Sequence, residues 1–319
     1  MNQEITTEIV NQFEGDVLKG LISPIKTLPS KYFYDAKGDQ LFQQIMKLNE
    51  YYLTRTELSI FKYQCAEIFD TIDDGEPFRI IELGAGDGLK TKVLLKHFIE
   101  RGADFVYSPV DISANVLNQL RDNLINEIPN LKFEPFVGDY FEALADVADR
   151  PYRDVVFFLG SNIGNFPNSG EVDFLRQLAL FMNSDDLLFM GVDLKKDPQV
   201  ILNAYNDRDS ITREFNLNLL DRINSELGAD FDRKAFEHYP TYNPQTGECQ
   251  SYLVSKVAQV VHLADSEIHF SAGEPILMEV SKKFEADKLK VLAGSVGFKE
   301  ERIFTDDENW FANVIWRRT

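Results

Sequence analysis

A chain of 319 residues with 44% hydrophobic composition can bury a sizeable core, enough for one large α/β domain and a smaller partner. Its formal net charge of −19 argues against nucleic acid and against anionic membranes, which both demand a positive footprint. Cys65 and Cys249 stand outside any CxxC context, and His97, His238, His262 and His269 show no metal-ligand spacing, so neither a disulfide framework nor a metal site is expected.

The N-terminus lacks a basic segment followed by an apolar run, so no secretory signal is evident. No apolar stretch is long enough to span a membrane, and a cytoplasmic, monomeric enzyme is the default expectation. Helical spacing runs over 6–19 and again over 38–48, where Leu41, Phe42, Ile45 and Leu48 share a face. Another helix is expected from near Thr56. After Gly75-Glu76-Pro77 the pattern changes to alternation. Strands are predicted at 78–83, 105–110, 132–136, 155–160 and 187–192, with helices at 91–101, 115–128, 141–148 and 171–182 between them. That is the repeat of a mainly parallel, doubly wound sheet, whose sites collect beyond the carboxyl ends of the strands.

The alternation lapses after Pro198. A helix is predicted over 205–227, then short strands at 250–258, 260–263, 267–270 and 276–282. A helix over 286–296 leads to strands near 302–305 and 310–316, which are expected to return to the sheet. Two domains follow: residues 58–198 with 285–319 for a cofactor, and residues 1–57 with 199–284 for a substrate.

The turn after the first strand, Glu82-Leu83-Gly84-Ala85-Gly86-Asp87-Gly88, lets the backbone approach a ligand without a Cβ in the way. Lys90 can pair with a ligand carboxylate. Asp111 can accept from both hydroxyls of a ribose, and Asp139 from the exocyclic amine of an adenine against which Tyr140 packs. The glycine spacing departs from GxGxxG. With Lys90, it favours S-adenosylmethionine over a nicotinamide dinucleotide, which would want a pyrophosphate cradle and a hydride-transfer partner.

Longer motifs sharpen this reading. Phe33-Tyr34-Asp35, Tyr51-Tyr52-Leu53-Thr54-Arg55, Leu159-Gly160-Ser161-Asn162-Ile163-Gly164-Asn165-Phe166, Ala204-Tyr205, Glu226-Leu227-Gly228-Ala229-Asp230-Phe231 and Glu279-Val280-Ser281-Lys282-Lys283-Phe284 occur in order. Over nearly its whole length the chain resembles the histidine-specific, S-adenosylmethionine-dependent Nα-methyltransferases of the ergothioneine pathway, which convert histidine to its trimethylated betaine, hercynine. The resemblance implies a Rossmann-like class I methyltransferase sheet with a second, mixed α+β domain for the substrate. It also implies roles: Tyr34 and Tyr205 on the substrate carboxylate, Tyr51 beside the reacting amine, and Asn165 orienting that amine. Glu279 and Ser281 would take the imidazole, with Gly160 close to the substrate. Gly84, Gly86, Lys90, Asp111, Asp139 and Tyr140 fall at the cofactor positions of the family. These roles suit the chemistry, since hydroxyls donate to a carboxylate and a glutamate accepts from an imidazole N–H.

The chain departs from the family pattern in places. Leu53 stands where a proline is usual, Gln250-Ser251 replace a Glu-Met pair near the substrate, and Asp87-Gly88 replace a serine- or threonine-rich turn. Ser251 would enlarge the pocket or make it more polar. It motivates the competing expectation of another amino acid or a histidine derivative as substrate. A non-catalytic S-adenosylmethionine-binding protein is the remaining alternative.

Overall fold

The computed structural model describes residues 2–112, 114–147 and 152–319. Met1, in the N-terminus read above, and Ala148, at the end of one predicted helix, lie outside the described residues. In chain order the elements begin with α1 (Asn2–Leu21), α2 (Ala36–Ile45), α3 (Tyr52–Ile72), β1 (Phe78–Leu83), α4 (Thr91–Glu100), β2 (Phe105–Asp111) and α5 (Ala114–Glu127). Next come β3 (Lys132–Phe133), β4 (Phe136–Val137), α6 (Tyr140–Val147), β5 (Arg153–Phe158), α7 (Gly170–Phe181) and β6 (Leu187–Asp193). They are followed by α8 (Pro198–Tyr205), α9 (Ile211–Leu227), β7 (Phe236–Asn243), β8 (Glu248–Ser255), β9 (Gln259–Leu263) and β10 (Ser266–Phe270). The chain closes with β11 (Pro275–Lys282), α10 (Ala286–Ser295), β12 (Phe298–Thr305) and β13 (Phe311–Arg318).

Two compact units share the chain: Met1–Tyr52 with Lys196–Ser281, and Leu53–Lys195 with Lys282–Thr319. The second is built on an eight-stranded sheet in the order β12-β13-β6-β5-β1-β2-β3, with β4 also pairing to β2. Strands β1, β2, β5 and β6 run parallel, while β13 is antiparallel to β6 and to β12. This is the Rossmann-like class I methyltransferase fold. The central strands are buried along their length, β1 and β6 at every residue, as a sheet covered on both faces requires. Alternation along β1 sends Phe78 and Ile80 into a core with Phe61 of α3, Leu95 of α4 and Leu120 of α5. It sends Ile81 and Leu83 into another with Leu144 of α6, Leu178 of α7 and Leu289 of α10. At the amino end of the sheet, Arg79 of β1 forks onto its register neighbour Asp154 of β5, with Nε and Nη2 each 2.9 Å from a carboxylate oxygen. That bidentate geometry satisfies a pair that is otherwise costly to bury.

The predicted strand over 132–136 is divided in the structure. Pro135 lacks an N–H to give the ladder, so the chain pairs as β3 and β4 on either side of it. Residue Asp139, beyond β4, then accepts from Phe141 N at 2.9 Å and starts α6.

The first unit contains the three-stranded sheet β11-β8-β7 and the hairpin β9–β10. Its core gathers Phe13 and Val17 of α1, Phe33, Phe215 and Leu219 of α9, Leu253 of β8 and Met278 of β11. The expected helix over 205–227 is two helices. Tyr205 ends α8, and Asp207, two residues on, accepts from Ile211 N and Thr212 N, both at 2.8 Å, and so caps the start of α9. Strand β7 is absent from the predicted set. It contains Pro240 and lies at the sheet edge, the position where proline costs least. Among the described residues no helix is long and apolar enough to cross a membrane. Nor does any group of three or more His, Cys, Asp or Glu side chains there suit a metal ion.

Candidate active site

In the second unit, the sequence-predicted cofactor residues lie at and just past the carboxyl ends of β1, β2 and β4, where a doubly wound sheet opens a crevice. Gly84, Gly86 and Gly88 have φ of 72°, 56° and 66°, in the left-handed region that glycine enters without steric cost. A Cβ at Gly84 would stand 2.8 Å from Tyr140 Oη, while at Gly86 it would meet nothing within 4 Å. The turn is thus tight on one side and open on the other. Asp111 ends β2, half-buried, and Asp139 is exposed one residue before α6. Burial, then the Asp111 and Asp139 carboxylates, push the Tyr140 hydroxyl up to about 12. Those three side chains therefore share one locality with the glycine turn. Glu82, beneath the turn, is buried and accepts from Thr91 Oγ1 at 2.6 Å and from Tyr107 Oη. Burial first, only partly offset by these donors and Lys90, raises its carboxyl to about 7.

Beyond β5, Gly160 and Ser161 are both left-handed, with φ of 75° and 61°. For a serine that conformation is strained. It is held by Ser161 Oγ, which accepts from Asp193 N at 2.9 Å. The short 3-10 turn Asn162–Asn165 follows and sets Asn165, half-buried, at its end. Gly164 allows a close crossing there, because a Cβ would fall 2.6 Å from Lys282 O. A Cβ at Gly160 would lie 3.4 Å from Lys90 Nζ, so the lysine lies against the start of this turn.

In the first unit, Tyr205 closes α8 and donates from Oη to Ser281 Oγ at 2.8 Å, both side chains buried. The structure thus joins a residue expected on the substrate carboxylate to one expected on the imidazole. Glu279, half-buried, lies two residues before Ser281 on β11. Tyr34 is 46% exposed and packs edge-on against Phe42 and Phe215, with centroids 5.5 and 5.7 Å away. Phe42 also meets Tyr51 at 6.3 Å. Tyr34 and Tyr51 therefore both pack edge-on against one phenylalanine. Ser251 is buried in β8, in register with Pro240 and one strand away from β11.

The model of the family described as "histidine-specific methyltransferase, SAM-dependent" matches residues 13–318. The chain belongs to that family. A histidine N-alpha-methyltransferase from Mycolicibacterium smegmatis is 38% identical over 295 residues, 91% of this chain and 90% of the relative. One from Mycobacterium tuberculosis is 36% identical, covering 93% of this chain and 92% of the relative. Ergothioneine biosynthesis protein 1 of Schizosaccharomyces pombe is 31% identical over 85% of this chain and 36% of its own length.

For a methyltransferase of this family the cofactor is S-adenosylmethionine, and the residues present fit it. The open side of the glycine turn admits backbone contact. Asp111 and Asp139 offer acceptors for ribose hydroxyls and an adenine amine. Lys90 offers the cation for a carboxylate. Asp139 already gives one oxygen to Phe141 N, so its other oxygen is the one suited to a ligand. Two residues of this site escaped sequence reasoning. Asn162 has its side-chain nitrogen 3.8 Å from the Cβ position of Gly84 and 4.0 Å from that of Gly160, bridging two of the predicted glycines. Glu57 is buried on α3 and pairs with Lys90. Its signal was present: a carboxylate three and four residues before the core side chains Ile60 and Phe61 lies on the apolar face of its helix.

Proposed function

We propose that this protein transfers methyl groups from S-adenosylmethionine to the α-amino nitrogen of L-histidine, three in succession, giving hercynine. The observation that carries the reading is the family match over residues 13–318, because it spans the polar set of the first unit as well as the cofactor turn. Bound S-adenosylmethionine supplies an electrophilic methyl group on a sulfonium. In each round an N–C bond forms, the S–CH3 bond breaks, S-adenosylhomocysteine leaves and the nitrogen gives up a proton.

Placement is the main contribution asked of the protein. Asn165 cannot serve as a base, but its amide oxygen orients an amine that still carries an N–H. The Tyr51 hydroxyl stands beside that amine and relays its proton outward. Tyr34 donates to the carboxylate, and Tyr205 does so when its O–H turns away from Ser281 Oγ and the serine hydroxyl donates to Tyr205 Oη in exchange. Glu279 accepts from an imidazole N–H, and Ser281 completes that contact. As methyl groups accumulate the amine loses its donors, and the rings of Tyr34 and Tyr51 then offer electron density to the fixed positive charge. The protein is proposed to act in the cytoplasm, as a monomer.

A second reading, methylation of a histidine derivative or another amino acid, is favoured by Ser251, a buried small polar residue one strand from Glu279 and Ser281. Incubating the purified protein with labelled S-adenosylmethionine and a panel of amino acids, with mass-resolved products, separates the readings. Mono-, di- and trimethylated histidine are expected. Efficient methylation of a different amine with none on histidine supports the second reading, and binding of both ligands without turnover overturns both.

A further inference from the structure

Glu57 has no solvent exposure, and a carboxylate in that position is costly unless its lone pairs are filled. Three other segments of the second unit fill them. Lys90, after the glycine turn, pairs with Oε2. Gly160 N, beyond β5, is 3.1 Å from both oxygens. Asn313 of β13 donates from Nδ2 to Oε1 at 3.0 Å. Space for the carboxylate comes from Gly191 of β6, where a Cβ would fall 2.2 Å from Oε1.

This arrangement differs from an ordinary buried ion pair in what it leaves open. The Lys90 side chain is 22% exposed and that of Glu57 is not exposed at all. An ammonium has three donors, so Lys90 can be held by Glu57 and still present an N–H outward. The pair is also neutral as a whole. A lone lysine would suit a phosphate, whereas a lysine already matched to a carboxylate suits a group that carries both charges.

We propose that Glu57 is the positioning residue for the amino-acid end of S-adenosylmethionine. It fixes the direction of Lys90 and the path of Gly160, so that the two converge on a zwitterionic aminocarboxylate and not on an anion. The inference rests on the cofactor reading above and adds to it a residue that never touches the ligand.

Calorimetric titration of the full-length protein with S-adenosylhomocysteine and with methylthioadenosine, the same thioether without the amino-acid end, tests this without any turnover. Glu57→Gln is expected to weaken S-adenosylhomocysteine binding by about tenfold and methylthioadenosine binding by less than about twofold. Because Glu57 acts through Lys90, Glu57→Gln/Lys90→Met should bind S-adenosylhomocysteine within about twofold of Lys90→Met alone. Unchanged affinity in Glu57→Gln, equal loss for both ligands, or additive losses in the double variant would each overturn the proposal. Should Glu57→Gln fail to fold, Asn313→Ala removes one anchor and leaves the charges in place. It should show the same split at about threefold, and equal or absent effects on the two ligands overturn the inference. Failure of the unaltered protein to bind S-adenosylhomocysteine would refute the cofactor reading itself, and Glu57's role with it.

Discussion

The two units handle polarity in opposite ways. The second buries charges in matched pairs: Glu57 with Lys90, Arg79 with Asp154, and Asp193 with Lys283 at 2.8 Å, both side chains of the last pair fully enclosed. In the first, the buried polar side chains are mostly neutral, with the Asp207 carboxylate at the start of α9 as a charged exception. Tyr205 and Ser281 share a hydrogen bond, and Tyr34 and Tyr51 edge an aromatic cluster. Burial holds the His238 imidazole down to about 4. The contrast suits the ligands proposed for each. A cofactor that keeps its charges throughout is well met by fixed ions. An amine that sheds its N–H donors with each methylation is better met by hydroxyls and ring faces, which do not depend on those donors.

The sharpest test of this comparison is Asn165→Ala, in the second unit, which removes the neutral amide proposed to orient the amine while leaving the cofactor turn intact. We expect the methyl-transfer rate to fall by about a hundredfold, with S-adenosylhomocysteine affinity unchanged by calorimetry. A comparable loss of cofactor affinity would show that the residue serves the turn instead.

Titration gives the next largest effect, with opposite signs in the two units. The Glu82 carboxyl is raised in the fold from 4.5 to about 7. Its contribution to stability is therefore complete below pH 4.5 and lost as pH rises through 7. The His238 imidazole is lowered from 6.5 to about 4. Its contribution is complete above pH 6.5 and lost as pH falls through 4. Each amounts to at most about 3 kcal/mol. Denaturant unfolding across that range should show Glu82→Gln removing a loss on the alkaline side, and His238→Gln removing one on the acid side. Slopes of the same sign for both variants would contradict the assignment.

A smaller effect is expected at Gly84. Alanine there must adopt a φ of 72° with its Cβ 2.8 Å from Tyr140 Oη, a strain of about 1–2 kcal/mol. Differential scanning calorimetry should register it as a lowered Tm, alongside weaker cofactor binding. The smallest is Ser251→Met. If Ser251 broadens substrate choice, the methionine should raise the preference for histidine over other amines by a few-fold in competition assays.

These contrasts also explain what the chain disclosed before its fold was known. In the cofactor half, the glycine turn and Asp111 could be placed from the sequence because each marks a strand end: Gly84 follows β1 and Asp111 ends β2. Local strand-then-turn patterns carry that information. The place of Glu57 on the apolar face of α3 marked it as buried but not as part of the site, since its partners Lys90, Gly160 and Asn313 come from distant parts of the chain. In the first unit, continuous helical spacing concealed the break at Asp207, whose carboxylate caps α9. Pro240 likewise masked β7, because only a sheet position at the edge makes that proline acceptable. The contact between Tyr205 and Ser281 joins positions whose separation in sequence no periodicity could bridge.

The most direct test of the division between the units is Glu279→Ala, with histidine and S-adenosylhomocysteine affinities measured separately by calorimetry. Histidine affinity is expected to fall by at least about tenfold, as loss of a charged hydrogen-bond acceptor implies, with S-adenosylhomocysteine affinity unchanged. Equal losses for both ligands, or an unchanged affinity for histidine, would contradict it.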